Sequence, residues 1–279
     1  MLIVAKVVDD LKMAGIGNES ENFLNDFHKR FELGSANRGP GSMRFFGINI
    51  SQDSELNIST DASDKLDALS EFSFARSRRK EQEELLNDIE KSHFASINSS
   101  LGWIGSAASP LCSFYASYLQ QKAPKPCVKH LVEQNNILRS LKKHGTTIRY
   151  LRPEVKKADE LTLVIFADAS KSDQNGQIGV LCGLMFGNMS PESVFHLITW
   201  VSHKAKRPVK SVPAAEILAA GESIDEGKVI KLALVEMLGV KVNLHICIDS
   251  KDLFFSMSTH KASIDKSIRS DVGAIRYDF

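Results

Sequence analysis

The chain is short of cysteine and tryptophan, carries no excess of either charge, and has no long apolar run. Its four cysteines, Cys112, Cys127, Cys182 and Cys247, stand far apart with no CxxC pair and no CxxH. That argues against a zinc site or a disulfide framework and fits reduced, mostly buried thiols in an intracellular protein. Lys and Arg number 35 against 34 Asp and Glu, a net charge of +1. No global field therefore draws the chain onto a polyanion, and any such contact must come from local patches. No uninterrupted apolar stretch approaches the length a transmembrane helix needs, so none is expected. The start, Met1 to Asp10, has no basic segment and no small-residue cleavage site, and it meets acid at Asp9, so it does not read as a signal peptide. What is present, 43% hydrophobic and 25% charged residues in 279, is the composition of a soluble folded protein with one large or two small domains.

Local pattern predicts the elements. Residues 2–8 are an apolar, Val/Ile-rich run that reads as a buried strand. Residues 18–32 place Phe23, Leu24, Phe27 and Phe31 on one helical face. Arg44 to Ile50 reads as a single short strand after the turn signal Gly39-Pro40-Gly41. Residues 51–80 are polar and weakly patterned, and the run Arg76 to Lys80 beside Glu81 to Glu84 reads as a solvated face with mutual screening. Helices are expected over 97–106, 111–121 and 127–143, separated by Pro-bearing connectors. Arg139, Lys142, Lys143, Arg149 and Arg152 form a basic edge that either meets phosphates or is simply solvated.

From residue 155 the texture changes. Leu161 to Ala167 is a strong strand ending at Asp168, 176–187 a second and 194–201 a third, an expected antiparallel meander. Pro213 opens a long helix that stops at Gly239. Val242 to Ile248 is a fourth strand ending at Asp249, and two helices follow, giving β-β-β-α-β-α-α. Apolar strands have no packing reason to end in a carboxylate. Two such strand ends, with Glu216 placed in the first turn of the long helix, point to acids converging on one place. Converging carboxylates repel unless a cation neutralises them, and Mg²⁺ prefers such oxygen ligands. The alternative remains that Asp168 and Asp249 are turn caps and Glu216 a helix-dipole partner.

Four blocks carry a resemblance. Phe166-Ala-Asp168-Ala-Ser170, Thr199-Trp200-Val-Ser202-His-Lys204, Ser211-Val-Pro-Ala-Ala-Glu216-Ile-Leu-Ala-Ala220 and Ile248-Asp249-Ser250-Lys251-Asp252-Leu253 occur in one order. Together they resemble the ribonuclease H domain of copia-type LTR retrotransposon Pol polyproteins. The stretch Phe94 to Phe114 and the run Asn136 to Lys143 are similar to that family's region between polymerase and ribonuclease H. Val7-Val8-Asp9-Asp10 is similar to its aromatic-x-Asp-Asp strand-turn, with Val7 in the aromatic position.

The resemblance implies a mixed α/β (α+β) fold: a ribonuclease H-like mixed sheet with flanking helices, preceded by a mostly helical thumb/connection region and a palm-edge remnant. It implies a palm remnant over 1–50, thumb/connection over 51–154 and a ribonuclease H-like domain over 155–279, incomplete at its C-terminus. It implies Mg²⁺ or Mn²⁺ held by Asp168, Glu216 and Asp249, with Asp9 and Asp10 the metal ligands of an incomplete polymerase site. The implied activity is two-metal hydrolysis of the RNA strand of an RNA–DNA hybrid, with other parts of the Pol polyprotein as partners and no membrane. Lys204, Lys206, Arg207 and Lys210, beside Glu216, and Arg139, Lys142 and Lys143 are the expected nucleic-acid contacts. Asp271 reads as a surface helix acid rather than a fourth ligand, His260 as a loop residue, and Trp103 and Trp200 as packing residues. The competing expectation is a catalytically dead retroelement remnant that at most binds nucleic acid.

Overall fold

The computed structural model describes residues 2–7, 10–15, 18–31, 41–153, 161–172, 175–187, 190, 192–258 and 269–278. Among them the chain is mixed α/β and divides into two compact units, Met1–Ala62 with Thr147–Arg152 and Ser63–Thr146 with Pro153–Phe279.

The first unit is mostly antiparallel. Strands β1 (Leu2–Val7) and β2 (Asp10–Gly15) pair with each other. Helix α1 (Glu19–His28) stacks Phe23 on Phe27 at 5.7 Å between ring centroids, and Phe31, past the helix end, lies tilted against Phe27 at 4.6 Å. The expected strand over 44–50 is instead a hairpin of β3 (Gly41–Phe45) and β4 (Ile48–Gln52). The reason is the Phe46-Gly47 turn, with φ of 50° and 72°. Positive φ at both central positions is the tight hairpin geometry that matches strand twist, and Gly adopts it at no steric cost. The polar stretch beyond supplies β5 (Ile58–Asp61), which pairs with β4 and with β6 (Ile148–Tyr150).

The second unit begins with the short helix α2 (Ser63–Asp67), followed by α3 (Asp88–Ala107), α4 (Pro110–Gln120) and α5 (Val128–His144). Their starts are encoded locally. Asn87 and Glu90 form a reciprocal capping box, and Ser109 caps α4 with Pro110 in its first turn. Phe94, Leu101, Ile104, Leu119, Leu131, Leu138 and Leu141 fill the core between them. The Arg76 to Lys80 run is not a solvated face throughout. Arg78 forks onto the buried Glu90, with Nε to Oε1 at 3.0 Å and Nη2 to Oε2 at 2.9 Å, and also reaches Glu81, Glu84 and the Leu85 carbonyl. That pairing holds the Glu90 carboxyl below its ordinary range.

The remaining strands are β7 (Leu161–Ser172), β8 (Asn175–Phe186), β9 (His196–Lys204) and β10 (Val242–Cys247). They form one sheet in the order β10-β7-β8-β9. The meander β7-β8-β9 is antiparallel and β10 runs parallel to β7. With its crossing helix this is a mixed sheet, three strands antiparallel and one parallel. Helix α6 (Val212–Leu238) covers one face, burying Ala215, Ala219 and Ile224 against Leu163, Ile165, Ala167, Ile178 and Val180. Helices α7 (Lys251–Ser258) and α8 (Arg269–Asp278) add Leu253, Val272 and Ile275 to the same core. Alternation sends Phe166, Asp168 and Ser170 of β7 to the opposite face. There α4 packs against β9.

Candidate active site

β7 does not stop at Asp168. It continues to Ser172, so Asp168 lies inside the strand, opposite Gly179 of β8. Asp249 follows the last residue of β10 by two positions. Glu216 lies past the first turn of α6, which holds no acid. It is therefore not a dipole partner at the helix start. The helix begins at the Ser211 cap, whose Oγ accepts from the Ala214 N–H at 3.3 Å. That start carries Glu216 to the end of the sheet where β7 and β10 lie side by side.

The three acids meet. A carboxylate oxygen from each of Asp168, Glu216 and Asp249 lies within 4.8 Å of the others, with Glu216 buried and the two aspartates exposed. Burial, then the charges of Asp168 and Asp249, push the Glu216 carboxyl up to about 7, although the Ala169 N–H donates to it. Among the described residues no lysine, arginine or histidine forms an ion pair with any of the three. Three converging acids without a compensating cation, one of them buried, are costly. The donor set is all hard oxygen, which suits Mg²⁺ or Mn²⁺ and excludes a thiolate-preferring ion.

The other expected site residues are distributed. Asp9 lies outside the described residues, and Asp10 is the first residue of β2. Lys204 ends β9 and is exposed, while Lys206, Arg207 and Lys210 lie in the segment leading to α6. Arg207 is paired with Asp271 on α8. The Lys210 carbonyl accepts from Lys171 Nζ at 3.1 Å. His203, on the α6 side of β9, bonds Glu222 at 2.8 Å. On α5, Arg139 is held by Glu71, and Lys142 donates to the carbonyls of Asp67 and Leu69 at 2.9 and 2.6 Å. Lys143 is exposed. Trp200 lies in β9, and its Nε1 donates to the Gly105 carbonyl at 2.6 Å. His260 lies outside the described residues.

Sequence reasoning passed over a cavity of about 800 Å³ that opens beside Asp168 and Asp249. Its floor is Phe166, Gly179 and Leu181, and α4 contributes Leu111 and Phe114. One signal was available: a glycine inside a strand, as at Gly179, marks a place where something approaches closely. The contribution of α4 had no local signature.

Among the described residues no helix is long and apolar enough to cross a membrane. No family model matches the chain. No curated protein matches it either. Among solved structures it is similar to a ribonuclease H1 isolated from compost by a metagenomic approach. That match has 11% identity and a TM-score of 0.29 over 43% of this chain and 75% of the other. An overlap of that quality is loose, and the fold stands on the strand order and register of β7 to β10.

Proposed function

We propose that this chain is a divalent-metal-dependent ribonuclease that cleaves the RNA strand of RNA–DNA hybrids, derived from a copia-type retrotransposon Pol protein. The observation that carries the reading is the carboxylate cluster. Asp168, Glu216 and Asp249 present oxygens within 4.8 Å of one another, with no lysine, arginine or histidine paired to them among the described residues. In this reading Asp168 and Asp249, exposed at the rim of the cavity, hold Mg²⁺ or Mn²⁺. A divalent cation held there would supply activation of a water and stabilisation of the oxygen leaving the phosphodiester. Glu216, fixed from behind by the Ala169 N–H, completes the ligand set and orients the attacking water. Selectivity for RNA comes from contacts to 2′-hydroxyls. The retroelement origin rests on the four ordered sequence blocks. It assigns 1–50 to a palm remnant, 51–154 to thumb and connection, and 155–279 to ribonuclease H, with other Pol segments as partners.

The test is cleavage of a labelled RNA–DNA hybrid in Mg²⁺ by the full chain and by Asp168→Asn and Asp249→Asn. The wild type cleaves and both variants fall to background. Unchanged cleavage in either variant sinks the assignment. One observation favours the second reading, a non-catalytic nucleic-acid-binding remnant. Among the described residues no fourth carboxylate joins the cluster, since Asp271 is tied to Arg207. Hybrid binding without cleavage in either Mg²⁺ or Mn²⁺ would select it.

A further inference from the structure

The cavity beside the carboxylates has a wall that the metal centre does not explain. α4 lies along the sheet face that carries Asp168, and the sheet is fastened once to the end of α3 and once to α4. Ahead of the helix, Trp200 Nε1 donates to the Gly105 carbonyl at 2.6 Å. Toward its far end, Gln177 Nε2 donates to Ser117 Oγ at 3.0 Å and to Ser202 Oγ at 2.8 Å, while Gln177 Oε1 accepts from Gln121 Nε2 at 2.7 Å. The Gln177 amide is engaged at both its atoms, so it acts as a bracket between helix and sheet.

Between those fastenings α4 turns Leu111 and Phe114 into the cavity with Phe166 and Leu181 of the sheet. All four stay unusually open for side chains of this kind, at 40%, 41%, 46% and 38% exposure. Clustered, exposed apolar side chains inside a polar rim mark a binding surface. The rim identifies the occupant. On one side the cavity is bounded by Asp168 and Asp249, on the other by Ser202. Lys204, exposed two residues beyond Ser202, lies on the same face of β9. A cation held by the three acids attracts one phosphate, and Lys204 is placed for a neighbouring one. A space of about 800 Å³ is at the upper end of the range that holds a single drug-sized ligand, enough for a short stretch of one strand.

We infer that α4 is a working wall of the nucleic-acid groove. Leu111 and Phe114 pack against the sugar and base faces of the strand whose phosphate lies at Asp168 and Asp249. The inference rests on the nuclease reading and extends it, because the strand contact comes from a helix outside the nuclease sheet.

The test uses the full chain with Leu111→Ala, Phe114→Ala and, as control, Leu232→Ala, which is 61% exposed on α6 and outside the cavity lining. Binding of a fluorescein-labelled RNA–DNA hybrid is followed by anisotropy in Ca²⁺, and cleavage kinetics are measured in Mg²⁺. Loss of one stacking or apolar contact of this kind raises Kd roughly tenfold. Leu111→Ala and Phe114→Ala are each expected to show that rise and a matching rise in KM. Their kcat and unfolding midpoint stay at the wild-type values, and the control changes nothing. Unchanged binding in both variants overturns the inference, as does weakened binding that only follows a lowered unfolding midpoint. Wild-type cleavage with unaffected variants removes the α4 wall and leaves the nuclease standing. Hybrid binding that depends on Phe114, without cleavage, removes the nuclease and leaves the wall. A wild type that does not bind the hybrid removes both.

Discussion

Replacing Glu216 by Gln removes the buried charge from the acid cluster while keeping its shape, and the consequence for stability can be worked from the structure. Like charges at the outer limit of the cluster, 4.8 Å, repel by about 0.9 kcal/mol in a water-like medium and about 3.5 kcal/mol at an effective dielectric constant of 20. Asp168 and Asp249 are exposed, which favours the lower end for each pair. The burial cost of the Glu216 carboxylate disappears as well. A gain of about 1–3 kcal/mol for the metal-free variant follows, or about 2–12 °C in Tm for a cooperative unit of this size. The pH dependence has a definite sign. The folded-state carboxyl is raised to about 7 from an ordinary value near 4.5, so the folded state binds the extra proton in between. Wild-type stability on this account falls as pH rises through that window, and the penalty is complete above about pH 7. The advantage of Glu216→Gln is therefore small near pH 5 and full at pH 8. Mg²⁺ at ten times its Kd returns about 1.4 kcal/mol to the wild type and less to the variant, which has lost a ligand. The assay is thermal unfolding of both proteins at pH 5 and pH 8, in EDTA and in Mg²⁺. A variant less stable than wild type at pH 8 in EDTA, with the same Mg²⁺ shift as wild type, would refute the reasoning.

Three further outcomes are expected. Arg78→Ala leaves the Glu90 carboxylate, whose side chain is 3% exposed, without its cation and lowers the unfolding midpoint in denaturant. An unchanged midpoint would show the ion pair to be ornamental. Because Glu90 is depressed in the folded state, the stability it contributes is present at neutral pH and is lost as pH falls below the ordinary carboxylate range. Gly105→Ala drives a methyl group to within 2.6 Å of the Ser113 backbone. It should force α3 and α4 apart at a cost of about 1–3 kcal/mol, with hybrid binding weakened alongside; an unchanged unfolding midpoint would contradict this packing. The Cys182 thiol is fully buried and pushed up to about 12 by its surroundings. It should resist alkylation at pH 8 in the native protein and react on unfolding, and rapid native labelling at this position in a peptide map would contradict its placement.

Elements with a local signature were legible in the sequence. The apolar run of β7, the glycine-bounded β8, the Ser211-Val212-Pro213 start of α6 and its stop at Gly239 depend on neighbours a few residues away. So does the Ser109-Pro110 start of α4, which reads in isolation only as a break. The Phe46-Gly47 hairpin was missed because a phenylalanine with positive φ disguises the turn inside an apolar run. The Arg78–Glu90 fork was missed because an alternating charge run carries no sign of which member will be buried.

What the sequence determined by itself is the order of strands and helices from β7 to α8, with one acid in β7, one near the start of α6 and one just after β10. Periodicity and capping are short-range, and they act before any distant contact forms. Only the tertiary structure decided that β10 lies parallel beside β7, and hence that Asp168, Glu216 and Asp249 come within 4.8 Å. It also decided that α4, far away in the chain, closes one side of the cavity they border. Those contacts depend on which faces bury together, and burial is a property of the assembled core that no single segment carries.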